Sequence, residues 1–362
     1  MSDGPAIRGE IRSLTGIRGL AASFVVVYHA LHASSPLTDL VLGRGYLCVD
    51  LFFVLSGYVM ALNYAKLFSG DGTTWSNYFS FLGMRFARLY PLYFVTVVVA
   101  MMFGVLGIMP LYFVPDLGVA LGWNAVMMQA WSFGAGSINL AAWSISTEWS
   151  AYLVFPLLVA FIFSGSSAKA WIAAAIAMAG LVVVIALGPS VQDEIEGPLA
   201  VFGTNTPLPV LRCVASFVLG MVVFRLEDGS FGRWLASRNS HGDVLAALAV
   251  VLFFWPQADL LFVAVCALLI AHLAKSDSRA SWLLGTEPVY YLGQISYSLY
   301  LVHAPILFLL RTTFLSWGWS WNLANLLTIV VSFALAPFAY HYIEVPGRRA
   351  LRAMFARRTV SA

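Results

Sequence analysis

Arg18 and His29 stand eleven residues apart inside one apolar stretch, TGIRGLAASFVVVYHA. On a helix, eleven steps of about 100° return to nearly the same face and climb roughly 16 Å of a roughly 30 Å hydrocarbon core. A permanent cation then sits near one end of an internal stripe, with an imidazole farther along it. Ionisable groups at such depth are costly and by default line a cavity or pathway. A guanidinium grips phosphate or carboxylate oxygens with its planar fork, and an imidazole can take a proton from a hydroxyl. The pair points to a polar substrate handled within a membrane.

Other ionisable residues extend the pattern. Arg85 and Arg88, in MRFARLYPLY, are three apart and share a helical face. Two such forks suit several phosphate oxygens, and they equally suit snorkelling cations that fix orientation in a bilayer. Asp50, in GYLCVDLFFVLSGYVM, and Glu148, in WSISTEWSAYLVFPL, fall near the starts of their apolar segments. Both are expected at the depth of His29, where either carboxylate would orient the imidazole and stabilise its protonated form. His303, in SYSLYLVHAP, suits a helix–helix hydrogen bond as well as it suits chemistry. Tyr297 lies two turns before it on nearly the opposite face. Tyr297, His303 and Trp149 are the further candidates for substrate contact. Glu344, in YHYIEVPGRR, is expected to pair with a nearby arginine. Trp123, Trp131, Trp143 and Trp149 read as an aromatic belt, or as the wall of an outer vestibule.

The elements that must position these residues are membrane helices. Hydrophobic residues make up 60% of the 362-residue chain and charged residues 10%, with a mean hydropathy of +0.84. Such a chain cannot cover itself with polar surface in water, which excludes an ordinary soluble domain and predicts an all-α polytopic bundle. Spans are expected at 14–32, 46–64, 88–107, 143–163, 170–188, 208–225, 243–256, 258–274, 289–310 and 322–343. Segment 118–132 is short, holds Asn124 and Gln129, and is expected to be re-entrant or interfacial. The cations between Lys66 and Arg88, Lys169, and Arg225, Arg233 and Arg238 place both termini in the cytoplasm, with the Asp193, Glu194 and Glu196 loop outside. Pro189, Pro198, Pro207 and Pro209 punctuate that loop with turns.

The organisation expected is a cytoplasmic segment 1–13, a transmembrane domain 14–346 and a basic tail 347–362. Arg348, Arg349, Arg352, Arg357 and Arg358 in that tail read as an orientation signal on anionic lipid rather than a nucleic-acid site. Cys48, Cys213 and Cys266 are dispersed, which suggests buried thiols rather than a disulfide framework or a metal site. No cleavable leader is evident before the first span. No G-x-S-x-G elbow offers a serine nucleophile.

Arg18-x10-His29, VDLFFVLSG at 49–57, Arg85-x-x-Arg88, STEW at 146–149 and SYSLYLVHAP at 296–305 occur in order. Together they resemble the acyltransferase family 3 membrane proteins, which O-acylate cell-surface glycans and some small hydroxylated metabolites. The resemblance implies an acyl donor, commonly acetyl-coenzyme A, presented from the cytoplasm of a bacterial inner membrane. It implies that Arg18, Arg85 and Arg88 hold coenzyme A phosphates and that His29 acts at the transfer step, by general base or through an acyl-imidazole. The acceptor would be a glycan or glycolipid hydroxyl on the outer side, or a small metabolite such as a macrolide. Many relatives carry a C-terminal hydrolase-like domain, whereas this sequence runs about twenty residues past its last expected span, which leaves the acceptor open. The chain also reads APIL after His303, without the aromatic partner often found there. Buried charges alone equally fit a secondary transporter of an anionic or sugar-like solute.

Overall fold

The computed structural model describes residues 10–32, 35–70, 73–109, 114–192, 196–202 and 206–360. Asp193 and Glu194 lie outside the described residues. The chain folds as α1 (Arg12–Leu31), α2 (Pro36–Leu42), α3 (Leu47–Tyr64), α4 (Trp75–Val105), α5 (Leu117–Ala125), α6 (Trp143–Ile162), α7 (Ala168–Val191) and α8 (Leu208–Leu226). These are followed by α9 (Ser230–Ala236), α10 (Asn239–Phe254), α11 (Asp259–Leu273), α12 (Arg279–Leu284), α13 (Glu287–Ser316), α14 (Trp321–Phe338) and α15 (Val345–Val360). A π-helical turn, Ala339–Glu344, joins α14 to α15.

Eight helices are long and apolar enough to cross a bilayer, and α10 and α11 are shorter apolar helices of 16 and 15 residues. The chain is an integral membrane helical bundle. Each expected span coincides with one of these ten helices. At 1.5 Å per residue, α10 and α11 reach only about 22–24 Å, short of a roughly 30 Å apolar layer. The nine-residue α5 is too short to cross, and turns follow it to residue 139.

Two kinds of face build the bundle. On α7, Ala170, Ala173, Ala177, Leu181 and Val184 recur at helical spacing and are buried, whereas Ile172, Ile176, Val182 and Leu187 are exposed to the lipid side. Elsewhere, small residues let backbones touch. A Cβ on Gly57 of α3 would lie 1.9 Å from the Phe217 carbonyl oxygen of α8, and one on Gly220 would lie 1.9 Å from that of Val54. Between α1 and α13, a Cβ on Gly19 would meet the Gly293 nitrogen at 2.4 Å, and one on Gly293 the Thr15 carbonyl at 1.9 Å. This second crossing sets the distance between Arg18 and His29 on one helix and His303 on the other. Gly57→Val is therefore expected to destabilise the bundle by about 1–3 kcal/mol, as overpacking does. Thermal melting of detergent-purified protein checks this, with Gly122→Ala as the neutral control because nothing lies within 4 Å of its Cβ position.

The segment after the last span, read from sequence only as a basic tail, is a helix docked on α4. Gly347 packs on Pro91, and the Phe355 ring lies against Gly83 and 6.4 Å from the Phe86 ring.

Candidate functional site

Two cavities meet at a collar of three arginines. The inner one, about 170 Å³, runs between α1, α3, α4, α6 and α13 and includes Glu148, Tyr152, Tyr297 and Tyr300 in its wall. The larger, about 400 Å³, opens at the end of the bundle where α1 begins. Arg18, Arg85 and Arg88 line both.

Each arginine is aimed by its neighbours. Arg18 donates through Nε to Ser296 Oγ at 3.0 Å and through Nη2 to the Gly293 carbonyl at 3.1 Å. Arg85 donates to the Tyr64 hydroxyl at 2.7 Å and stacks over that ring, while its buried Nε finds no partner among the described residues. Arg88 pairs with the buried Glu344 and lies 4.9 Å from the Tyr297 ring centroid. The other Glu344 oxygen accepts from Ser298 Oγ at 2.7 Å. The π-helical turn carries Glu344 inward, so its expected ion pair forms with Arg88. Arg18 and Arg85 have no carboxylate within ion-pair distance among the described residues. Two uncompensated guanidiniums beside a half-neutralised third make a ready anion site.

The imidazole of His29 meets a histidine where a carboxylate was expected. His303 Nε2 lies 3.0 Å from His29 Nδ1, and His303 Nδ1 lies 2.6 Å from the Tyr300 carbonyl oxygen. A carbonyl only accepts, so His303 Nδ1 carries hydrogen and, in the neutral ring, Nε2 is an acceptor. His29 Nδ1 then donates to it, which leaves His29 Nε2 as a lone pair. That tautomer is the one a general base needs. Neither ring lines the inner cavity, which ends at Tyr300, one helical turn before His303.

The two carboxylates expected beside His29 are engaged elsewhere. Asp50 is fully buried and takes a two-pronged grip from Arg212 of α8, Nε to Oδ1 at 3.0 Å and Nη2 to Oδ2 at 2.5 Å. Ser216 Oγ adds a bond to Oδ1 at 3.2 Å, and Arg212 is stacked near Tyr46 and Trp143. The reason is helix phase: Asp50 on α3 faces α8, not α1. Glu148 accepts from Tyr152 at 2.6 Å, whose hydroxyl also lies 3.1 Å from Ser56 Oγ. It faces the arginine collar through the inner cavity, below the imidazoles. Tyr297 is in the cavity wall as a neighbour of Arg88, while Trp149 packs against Phe86 and Tyr152 and lines neither cavity. Among the described residues no group of three or more His, Cys, Asp or Glu side chains is placed to hold a metal ion.

Further residues hold the far end of α1. Arg311 donates to the carbonyls of His29 and Ala30 at 3.2 and 3.1 Å, is tied to Asn325 Oδ1 at 2.9 Å and stacks on Trp321 at 4.5 Å. It caps the last turn of α1 that carries His29. Glu196, from the loop before α8, accepts from Tyr28 and His32, the latter at 3.0 Å. The hydrogen bond to Glu196 lifts the His32 imidazole above its ordinary range, against the opposing pull of partial burial.

An acyltransferase domain model matches residues 11–341. The chain is 27% identical to YrhL of Bacillus subtilis over 96% of its length. It is 25% identical to the peptidoglycan O-acetyltransferase OatA of Listeria monocytogenes over 94%, and to the O-acetyltransferase OatA of Staphylococcus aureus over 93%. The chain spans 56–57% of the length of these relatives. No solved structure matches it. With a domain match that runs from the first turn of α1 into the π-helical turn after α14, the chain belongs to the acyltransferase family 3 of membrane proteins.

Proposed function

We propose that this chain moves an acetyl or other short acyl group from acyl-coenzyme A to a hydroxyl of a cell-surface glycan or glycolipid. The observation that carries the reading is the arginine collar, which joins an open cationic chamber to a narrow cavity leading toward His29 and His303. The names of the Listeria and Staphylococcus relatives make peptidoglycan the first acceptor to test.

The donor enters at the end of the bundle where α1 begins, and the distribution of basic residues supports a cytoplasmic side for that end. Its phosphates rest on Arg18, Arg85 and Arg88, and its thioester arm lies between the tyrosines of the inner cavity. The acceptor approaches from the other side. His29 Nε2 takes the hydroxyl proton as the oxygen attacks the thioester carbonyl. The tetrahedral intermediate collapses, the carbon–sulfur bond breaks, and the departing thiolate receives the proton from the imidazolium. His303 receives the Nδ1 hydrogen bond throughout, which fixes the ring and its tautomer. Glu148 and Tyr152 form the polar wall along which the acyl arm passes.

Coenzyme A binding to detergent-purified protein tests the reading. Wild type is expected to bind saturably, and Arg85→Ala/Arg88→Ala to lose about a hundredfold or more in affinity, since each charge-assisted contact contributes roughly tenfold. Absence of binding by a folded wild-type preparation would overturn the donor site and favour solute transport.

A further inference from the structure

The larger cavity contains more positive charge than the collar alone supplies. Arg348 and Arg352 line it together with Arg18, Arg85 and Arg88, and Glu10 is the one carboxylate among its described lining residues. They are four residues apart on α15 and so share a face, while Arg349 between them points outward and is exposed. Their helix does not float: Gly347 sits on Pro91, and Phe355 on Gly83 and Phe86, so both guanidiniums are held over the mouth by α4, the helix that carries Arg85 and Arg88. Arg348 reaches Glu344 only at 4.0 Å, a carboxylate already taken by Arg88, and Arg352 has no ion pair among the described residues. Five guanidiniums around one chamber repel each other. A ligand that relieves this must itself bear several negative charges, spread over more than the length of a single phosphate group.

Resting on the acyl-coenzyme A reading, we infer that Arg348 and Arg352 form a separate subsite for the phosphate on the ribose of the donor's nucleotide. The pyrophosphate bridge lies at the collar, because Arg18, Arg85 and Arg88 are common to both cavities and the pantetheine arm must pass inward from there. The nucleotide end is then left in the larger chamber, where α15 supplies the remaining two cations. The α15 arginines thus discriminate coenzyme A from otherwise identical thiols that lack the ribose phosphate.

The test is calorimetric titration of detergent-purified protein with coenzyme A and with dephospho-coenzyme A. Wild type should bind coenzyme A at least about tenfold more tightly, a conservative figure for losing a phosphate contacted by two guanidiniums. In Arg348→Gln/Arg352→Gln the coenzyme A affinity should fall until the two affinities coincide. Retained binding of dephospho-coenzyme A also reports that this variant is folded. Equal affinities in wild type, or a preference that survives in the variant, overturn the subsite and leave the collar standing. A fall in wild-type coenzyme A affinity on adding phosphatidylglycerol, absent in the variant, would instead assign these arginines to lipid phosphate. If neither compound binds folded wild type, the donor reading itself falls with the subsite.

Discussion

His29→Ala is expected to slow acyl transfer by about a hundred- to ten-thousand-fold, the range over which a positioned proton acceptor acts. Coenzyme A binding should survive, because the collar proposed to hold the donor lies about three helical turns away along α1. Measuring both on one preparation separates loss of chemistry from loss of fold. The hydrogen-bond chain refines the expectation. His303 serves by accepting from His29 Nδ1, and a glutamine carbonyl can accept as well. His303→Gln should thus retain clearly more activity than His303→Leu, which leaves Nδ1 without its acceptor and frees the ring to change tautomer. Equal loss in the two variants, or full activity in His29→Ala, would refute this assignment of roles.

The second large effect concerns stability. Arg212→Met removes the one cation that grips Asp50 among the described residues and leaves a carboxylate at 0% exposure with Ser216 as its remaining side-chain donor there. Breaking a buried ion pair from one side costs about 3–5 kcal/mol. A steep drop in melting temperature, or in the yield of monodisperse protein, is the expected result. Replacing both partners, as in Asp50→Leu/Arg212→Met, should recover much of the loss, since apolar side chains of similar volume need no desolvation. The pair also joins α3 to α8 at the depth where Arg212 donates to the carbonyls of Tyr46 and Val201. The double variant therefore keeps the helix contact but loses those two backbone tethers. A single Arg212→Met variant that melts like wild type would mean the charges are solvated.

Much of this arrangement was legible in the sequence because burying charge in lipid is so costly that position alone signals purpose. The spans, the short segment around α5, and the placement of Arg18, Arg85 and Arg88 toward one side follow from hydropathy and helical phase, whereas their shared site was implied only by the family resemblance. Partnership did not follow. Asp50 and Glu148 share an approximate depth with His29, but depth leaves the rotation of three helices undetermined, and rotation turned Asp50 toward Arg212 and Glu148 toward Tyr152. The rule that flagged Arg18 also applied to Arg212 and Arg311, each inside an apolar run, and would have found them. Arg348 and Arg352 carried no such signal, since cations just beyond a last span are what orientation in a membrane already requires. Only the docking of Phe355 and Gly347 on α4 shows that two of them turn inward.

The inner cavity stops at Tyr300, whose hydroxyl lies 2.7 Å from Ser144 Oγ and whose ring packs 6.0 Å from Phe52, and beyond it Arg311 and Glu196 hold the far end of α1. Tyr300 and its neighbours thus close the inner cavity on the side toward His303. An enzyme that draws its donor from one compartment and serves an acceptor in the other works across a voltage, where a single continuous file of water would short-circuit the cell's proton gradient. On the proposed reading, a closure at Tyr300 would let an acyl group change sides at the imidazoles just beyond it while the membrane stays electrically insulating.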